Sequence, residues 1–166
     1  MSYFMYFADF YINANIFKMA VTPLICLDLR SPLAFLKSSN TQKDPLLPFE
    51  KEEFLLCFRL NPLESSSIEP DRYQFIEQLV FFGKKTDENA AIIHEETKKV
   101  ILPAGNYLFN QCRSEQILNK DEWLDIAIEQ QKDGLWERYK PGNLLYIRFL
   151  YEDSAFVTQI YRQIDD

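Results

Sequence analysis

The sequence predicts an α+β domain built on an antiparallel sheet with few helices. Apolar residues alternating at period two recur along the chain, one segment alone carries the spacing and caps of an amphipathic helix, and the chain ends in two alternating runs joined by a short polar turn. With 166 residues and 47% hydrophobic content, the chain has enough apolar surface for one substantial core. A single domain over 1–166 is therefore expected, with 1–70 and 71–166 as candidate halves.

Tyr3 to Ile16 is dense in apolar and aromatic residues and reads as a first strand, and ICLDL at 25–29 as a second. Ser31-Pro32 has the chemistry of a helix start, a capping hydroxyl followed by a ring whose φ suits the first turn, so a short helix through Leu36 is expected. KSSNTQKDPLLP at 37–48 is polar and proline-containing, a loop. EEFLLCFRL follows, with Phe54, Leu56, Phe58 and Leu60 on one face and Leu55 and Cys57 on the other, a strand apolar on both sides. NPLESSSIEPD at 61–71 is the second loop, and YQFIEQLVFFG at 73–83 a strand closed by glycine. The charged KKTDENAAIIHEETKK, with Ala90 to Ile93 at its centre, reads as a turn and then a short strand or helix.

In VILPAGNYLFNQ, residues 100–111, an apolar strand is interrupted and resumes. Proline cannot donate to a ladder and glycine relaxes the backbone, so Pro103-Ala104-Gly105 belongs at an edge, a bulge or the start of a strand. The helix is expected over Asn119 to Gly134. Asn119 and Glu122 form a capping-box pair, Trp123, Ile126, Ala127 and Gln130 share a face, and Gly134 is placed to cap the C-terminus. NLLYIRFLY at 143–151 and SAFVTQIYRQI at 154–164 form the closing hairpin.

Composition removes several classes of function. A net charge of -7 would repel a phosphate backbone, and the paired lysines Lys84-Lys85 and Lys98-Lys99 each stand beside acidic residues, so direct nucleic-acid binding is not expected. Cys26, Cys57 and Cys112 are odd in number, far apart and set in apolar runs, which suits buried free thiols in the cytoplasm. MAVTPLICL is far short of the ~20 residues that span a bilayer, and the N-terminus lacks a basic secretory start, so no membrane partner is expected. His94 is the sole histidine and stands in no metal or triad pattern, and no Gly-rich phosphate loop occurs. No metal, cofactor or catalytic residue is expected, and the chain reads as a binding protein before an enzyme, with a small hydrolase resting on the helix carboxylates as a third alternative.

VILPAGNYLF, followed by a capped helix with tryptophan and a terminal hairpin, resembles the GyrI-like family, the small-molecule (effector) binding domains also found in AraC-type and MerR-type regulators. The matching positions are Leu102, Pro103, Ala104, Gly105 and Tyr107, then Trp123, then the hairpin to Ile164. The resemblance implies two pseudo-repeated β-α-β-β units whose sheet forms a cleft for apolar or cationic ligands. Where that family carries a glutamate on the penultimate strand, this chain has Leu144-Leu145-Tyr146. It also lacks a helix-turn-helix segment, so the resemblance implies a stand-alone effector domain.

The candidate ligand-binding residues are Tyr107 and Phe109 on the motif strand, Trp123 and Trp136 around the helix, and Tyr146 and Arg148 on the hairpin, with core packing as the plain alternative for each aromatic. Arg148, a charge amid NLLYIRFLY, must reach solvent, an anionic ligand group, or a carboxylate such as Glu129. Glu122, Asp125 and Glu129 on one helix read as a solvated face. The expected partner is a small apolar or amphipathic organic molecule. The alternative is a homodimer or interaction module pairing through the aromatic FMYFADFYI strand, left as an edge.

Overall fold

The longest ladder is also the most local. In the computed structural model, which describes residues 19–37, 53–60, 76–85 and 99–165, strands β8 (Lys140–Glu152) and β9 (Ala155–Asp165) pair antiparallel about Asp153 and Ser154. Those two residues take φ of 51° and 62°. Positive φ at both central positions is what a hairpin needs if the turn is to follow the right-handed twist of its strands, and short polar side chains tolerate it. The hairpin expected from the alternation is present and extends beyond both of its expected ends.

Seven further strands complete one sheet: β1 (Met19–Val21), β2 (Ile25–Leu29), β3 (Leu33–Lys37), β4 (Phe54–Leu60), β5 (Ile76–Lys85), β6 (Lys99–Leu102) and β7 (Gly105–Ser114). Every pairing is antiparallel, and the order is β1-β7-β9-β8-β4-β5-β3-β6, with β2 also on β7. The expected strand at Tyr3–Ile16, most of the loop at 37–48, the loop at 61–71 and the segment containing His94 lie outside the described residues.

This order cannot lie flat. β7 and β6 stand six places apart, roughly 29 Å at ~4.8 Å a place, yet only Pro103 and Ala104 separate them, a reach of at most about 11 Å. The same holds for β2, beside β7, and β3, beside β6, which are joined by Arg30, Ser31 and Pro32. The sheet must therefore curl until its ends meet. The register shows how: Leu29 pairs with Gly105 and Leu33 with Leu102, so one long strand pair bends through a corner and closes a barrel. Its staves are β1-β2-β3, β6-β7, β9, β8, β4 and β5.

The sequence expectation of a helix over Ser31 to Leu36 is corrected by this arrangement. Phe35 and Leu36 are paired on both sides, to β5 and to β6, and a doubly paired backbone outweighs a local start signal worth about 1 kcal/mol. Ser31-Pro32 marks the corner instead. The interruption in VILPAGNYLF is its counterpart on the neighbouring stave. Gly105 has φ of 148°, a conformation side-chain-bearing residues rarely adopt, although a methyl there would meet open space; conformation, not room, calls for glycine. The Tyr107 hydroxyl donates to the Pro103 carbonyl oxygen at 2.5 Å and ties the corner to the wall above it.

Helix α1 (Lys120–Gln131) starts as its sequence predicts: the Asn119 side chain accepts from the Glu122 N–H at 2.9 Å, and the Glu122 carboxylate accepts from the Asn119 N–H at 3.2 Å. It ends earlier than expected. Lys132 caps it, and Gly134, expected as the cap, opens a 3-10 helix at Gly134–Arg138, where the Asp133 carboxylate accepts from the Leu135 N–H at 2.8 Å.

Period-two alternation gives the sheet two buried faces. Inside the barrel, Phe35, Leu55, Cys57, Leu102, Tyr107, Tyr146 and Tyr161 pack together with Leu27, Leu29, Leu33, Phe109 and Leu144. Outside, α1 lays Trp123, Leu124 and Ala127 on Phe54, Leu56, Phe58 and Leu60 of β4 and Leu145, Ile147 and Phe149 of β8. β4 is sandwiched between the two cores, which is why both of its faces are apolar.

Candidate functional site

The inward residues of β4, β8, β9 and β7 fall into rows fixed by the register. Cys57, Tyr146, Tyr161 and Phe109 stand side by side, and the next row is Leu55, Arg148, Gln159 and Gln111. Between the first row and Tyr107 of the row before it, aromatic edges meet aromatic faces. The Tyr107 ring lies 6.1 Å from Tyr146 at 89° and 5.6 Å from Tyr161 at 83°, and Phe109 lies 4.9 Å from Tyr161. Edge-to-face geometry suits the ring quadrupoles and locks the three tyrosines against one another.

The second row is polar and continuous. Arg148 Nε donates to Glu53 Oε2 at 3.0 Å, Arg148 Nη1 donates to Gln159 Oε1 at 3.2 Å, the Tyr161 hydroxyl donates to the same oxygen at 2.6 Å, and Gln159 Nε2 donates to Gln111 Oε1 at 3.0 Å. The Arg148 and Glu53 side chains keep 18% and 20% of their exposure, so this row reaches solvent, whereas Tyr107, Tyr146 and Tyr161 are buried and Phe109 is partly so.

Electrostatics divide the rows in the same way. Burial pushes the Cys57 thiol and the Tyr107 phenol up to about 12, and Tyr146 and Tyr161 upward too, so all four stay neutral at neutral pH. A thiol held protonated is not a nucleophile. Burial works against the Arg148 charge, but hydrogen bonds and charge at Glu53, with Tyr161, leave the guanidinium above its ordinary value. The site thus offers aromatic faces beside a fixed ion pair and neutral amides, equipment for holding a molecule. Among the described residues there is no cluster of three or more histidine, cysteine or carboxylate side chains able to hold a metal.

Four sequence candidates, Tyr107, Phe109, Tyr146 and Arg148, meet on this inner face. Three do not. Trp123 is buried on the outer wall, its ring stacked 5.3 Å from Phe58. Trp136 is half-buried on the 3-10 helix, donating from its indole nitrogen to the Gln130 carbonyl oxygen at 3.1 Å beneath the Arg162 guanidinium. Glu129 is exposed on α1 and pairs with Lys132 at 3.7 Å; the carboxylate that meets Arg148 is Glu53.

Glu53, Gln111, Gln159 and Tyr161 were not singled out by sequence. Tyr161, Gln159 and Gln111 share the pleat of residues that were, and a register would have found them; Glu53 lies 95 residues from its partner and leaves no local signal. No helix among the described residues is long and apolar enough to cross a membrane, which says nothing of crossing by strands. No protein-family model, curated protein or solved structure matches this chain.

Proposed function

We propose that this protein is a binding module for a small apolar or amphipathic organic molecule, held at the Arg148 end of the tyrosine-lined barrel face, and that it acts in regulation rather than in catalysis. The observation that carries this reading is the convergence of Tyr107, Phe109, Tyr146 and Arg148 with Tyr161 and Gln159 on one inner wall, aromatic on one side and polar on the other. Small-molecule sites combine these two ingredients, apolar burial for affinity and a few fixed polar groups for orientation. The GyrI-like resemblance supports the same reading, since β7, α1, β8 and β9 follow one another as strand, helix, strand, strand. On that basis the chain is a stand-alone effector domain with a second, pseudo-repeated unit.

The test uses phenylnaphthylamine, a neutral apolar fluorophore. Saturable enhancement of its emission by the folded protein, weakened when Phe109→Ala opens the wall, is the expected result; near-ultraviolet circular dichroism on the same samples shows that the tyrosine cluster is intact. Emission that rises without saturating, or is indifferent to Phe109→Ala, removes the assignment.

A second reading, dimerisation through open strand edges, draws on the exposed Ile25 on β2 and Ile101 on β6, each 48% accessible. Solution mass with and without residues 1–12 separates the two: a dimer that becomes a stable monomer on truncation favours pairing.

A further inference from the structure

We draw no further inference here: the strongest candidate, the polar row of Glu53, Arg148, Gln159 and Gln111 on the inner face of the barrel, belongs to the site already described and holds spare acceptors as well as spare donors beside tyrosines that are themselves buried, so it selects no one class of ligand.

Discussion

Arg148 on β8, partly withdrawn from water, and Arg162 on β9, almost wholly withdrawn, stand on adjacent staves of the barrel and meet that cost in opposite ways. Arg148 points inward and is met by a carboxylate, an amide and a phenol, which hold its charge firmly. Arg162 points outward beneath the end of α1, only 6% exposed, and its partners are all neutral: Nε donates to the Gly142 carbonyl oxygen at 2.9 Å, Nη1 donates to the Gln131 side-chain oxygen, and the Trp136 ring lies 5.6 Å away. Burial lowers Arg162 to about 10, with Asp165 opposing the fall, and it remains a cation at neutral pH. The C-terminal end of a helix carries partial negative charge, so α1 itself helps to hold the outer arginine. A charge matched by a counter-charge can exchange that partner for a ligand, whereas one held by dipoles fastens parts of the fold together. On the proposed reading the inner arginine serves a site, while the outer one fastens the frame.

The broadest way to break the outer frame is Trp123→Ala. Trp123 is 1% exposed and stacked on Phe58, so its loss should cost about 3–5 kcal/mol in urea denaturation, and a cost below 1 kcal/mol would show that α1 is not anchored there. Next in size is the contrast between the arginines. Arg148→Met strands Glu53 in a half-buried place and should cost about 1–3 kcal/mol, less than a fully buried pair because both side chains reach water. Arg162→Met removes a buried cation whose hydrogen-bond partners are neutral along with two hydrogen bonds, effects of opposite sign that should leave stability within about 1 kcal/mol of native. Equal losses from the two substitutions would erase the distinction between them.

A further effect is a pH slope from the buried thiols and phenols, to which Cys112 of the outer core contributes alongside the barrel interior. Cys57 and Tyr107 have folded values near 12 against ordinary values of 9.0 and 10.0, so between these limits the unfolded chain releases protons that the folded chain keeps. Stability from these groups is complete below about pH 9 and falls as the pH rises toward about 12. Urea midpoints at about pH 8 and pH 11 measure the slope, and Cys57→Ala should flatten it; an unchanged slope would remove Cys57 as a source.

Much of this was readable where the signal is local. Asn119 and Glu122 announce a cap because they touch each other, and the hairpin follows from alternation on either side of Glu152-Asp153-Ser154. What escaped was set by distant partners. Ser31-Pro32 carries a sound local signal, but β3 obeys β5 and β6, and Glu53 finds Arg148 only because β4 and β8 are neighbours. The aromatic residues stand out in the sequence as a set, but their division between walls depends on the parity of the pleat and on the helix face, which placed Trp123 outside and Tyr146 within.

The corner also has a kinetic consequence. The β8–β9 hairpin requires the chain to meet itself across two residues, whereas closing the barrel requires Leu29 to find Gly105 and Leu33 to find Leu102, encounters that wait on long loops. The hairpin should form early and the seam last. Until that late closure, β6 and β7 present unpaired backbone, so the seam is where a half-folded molecule is most exposed to pairing with another.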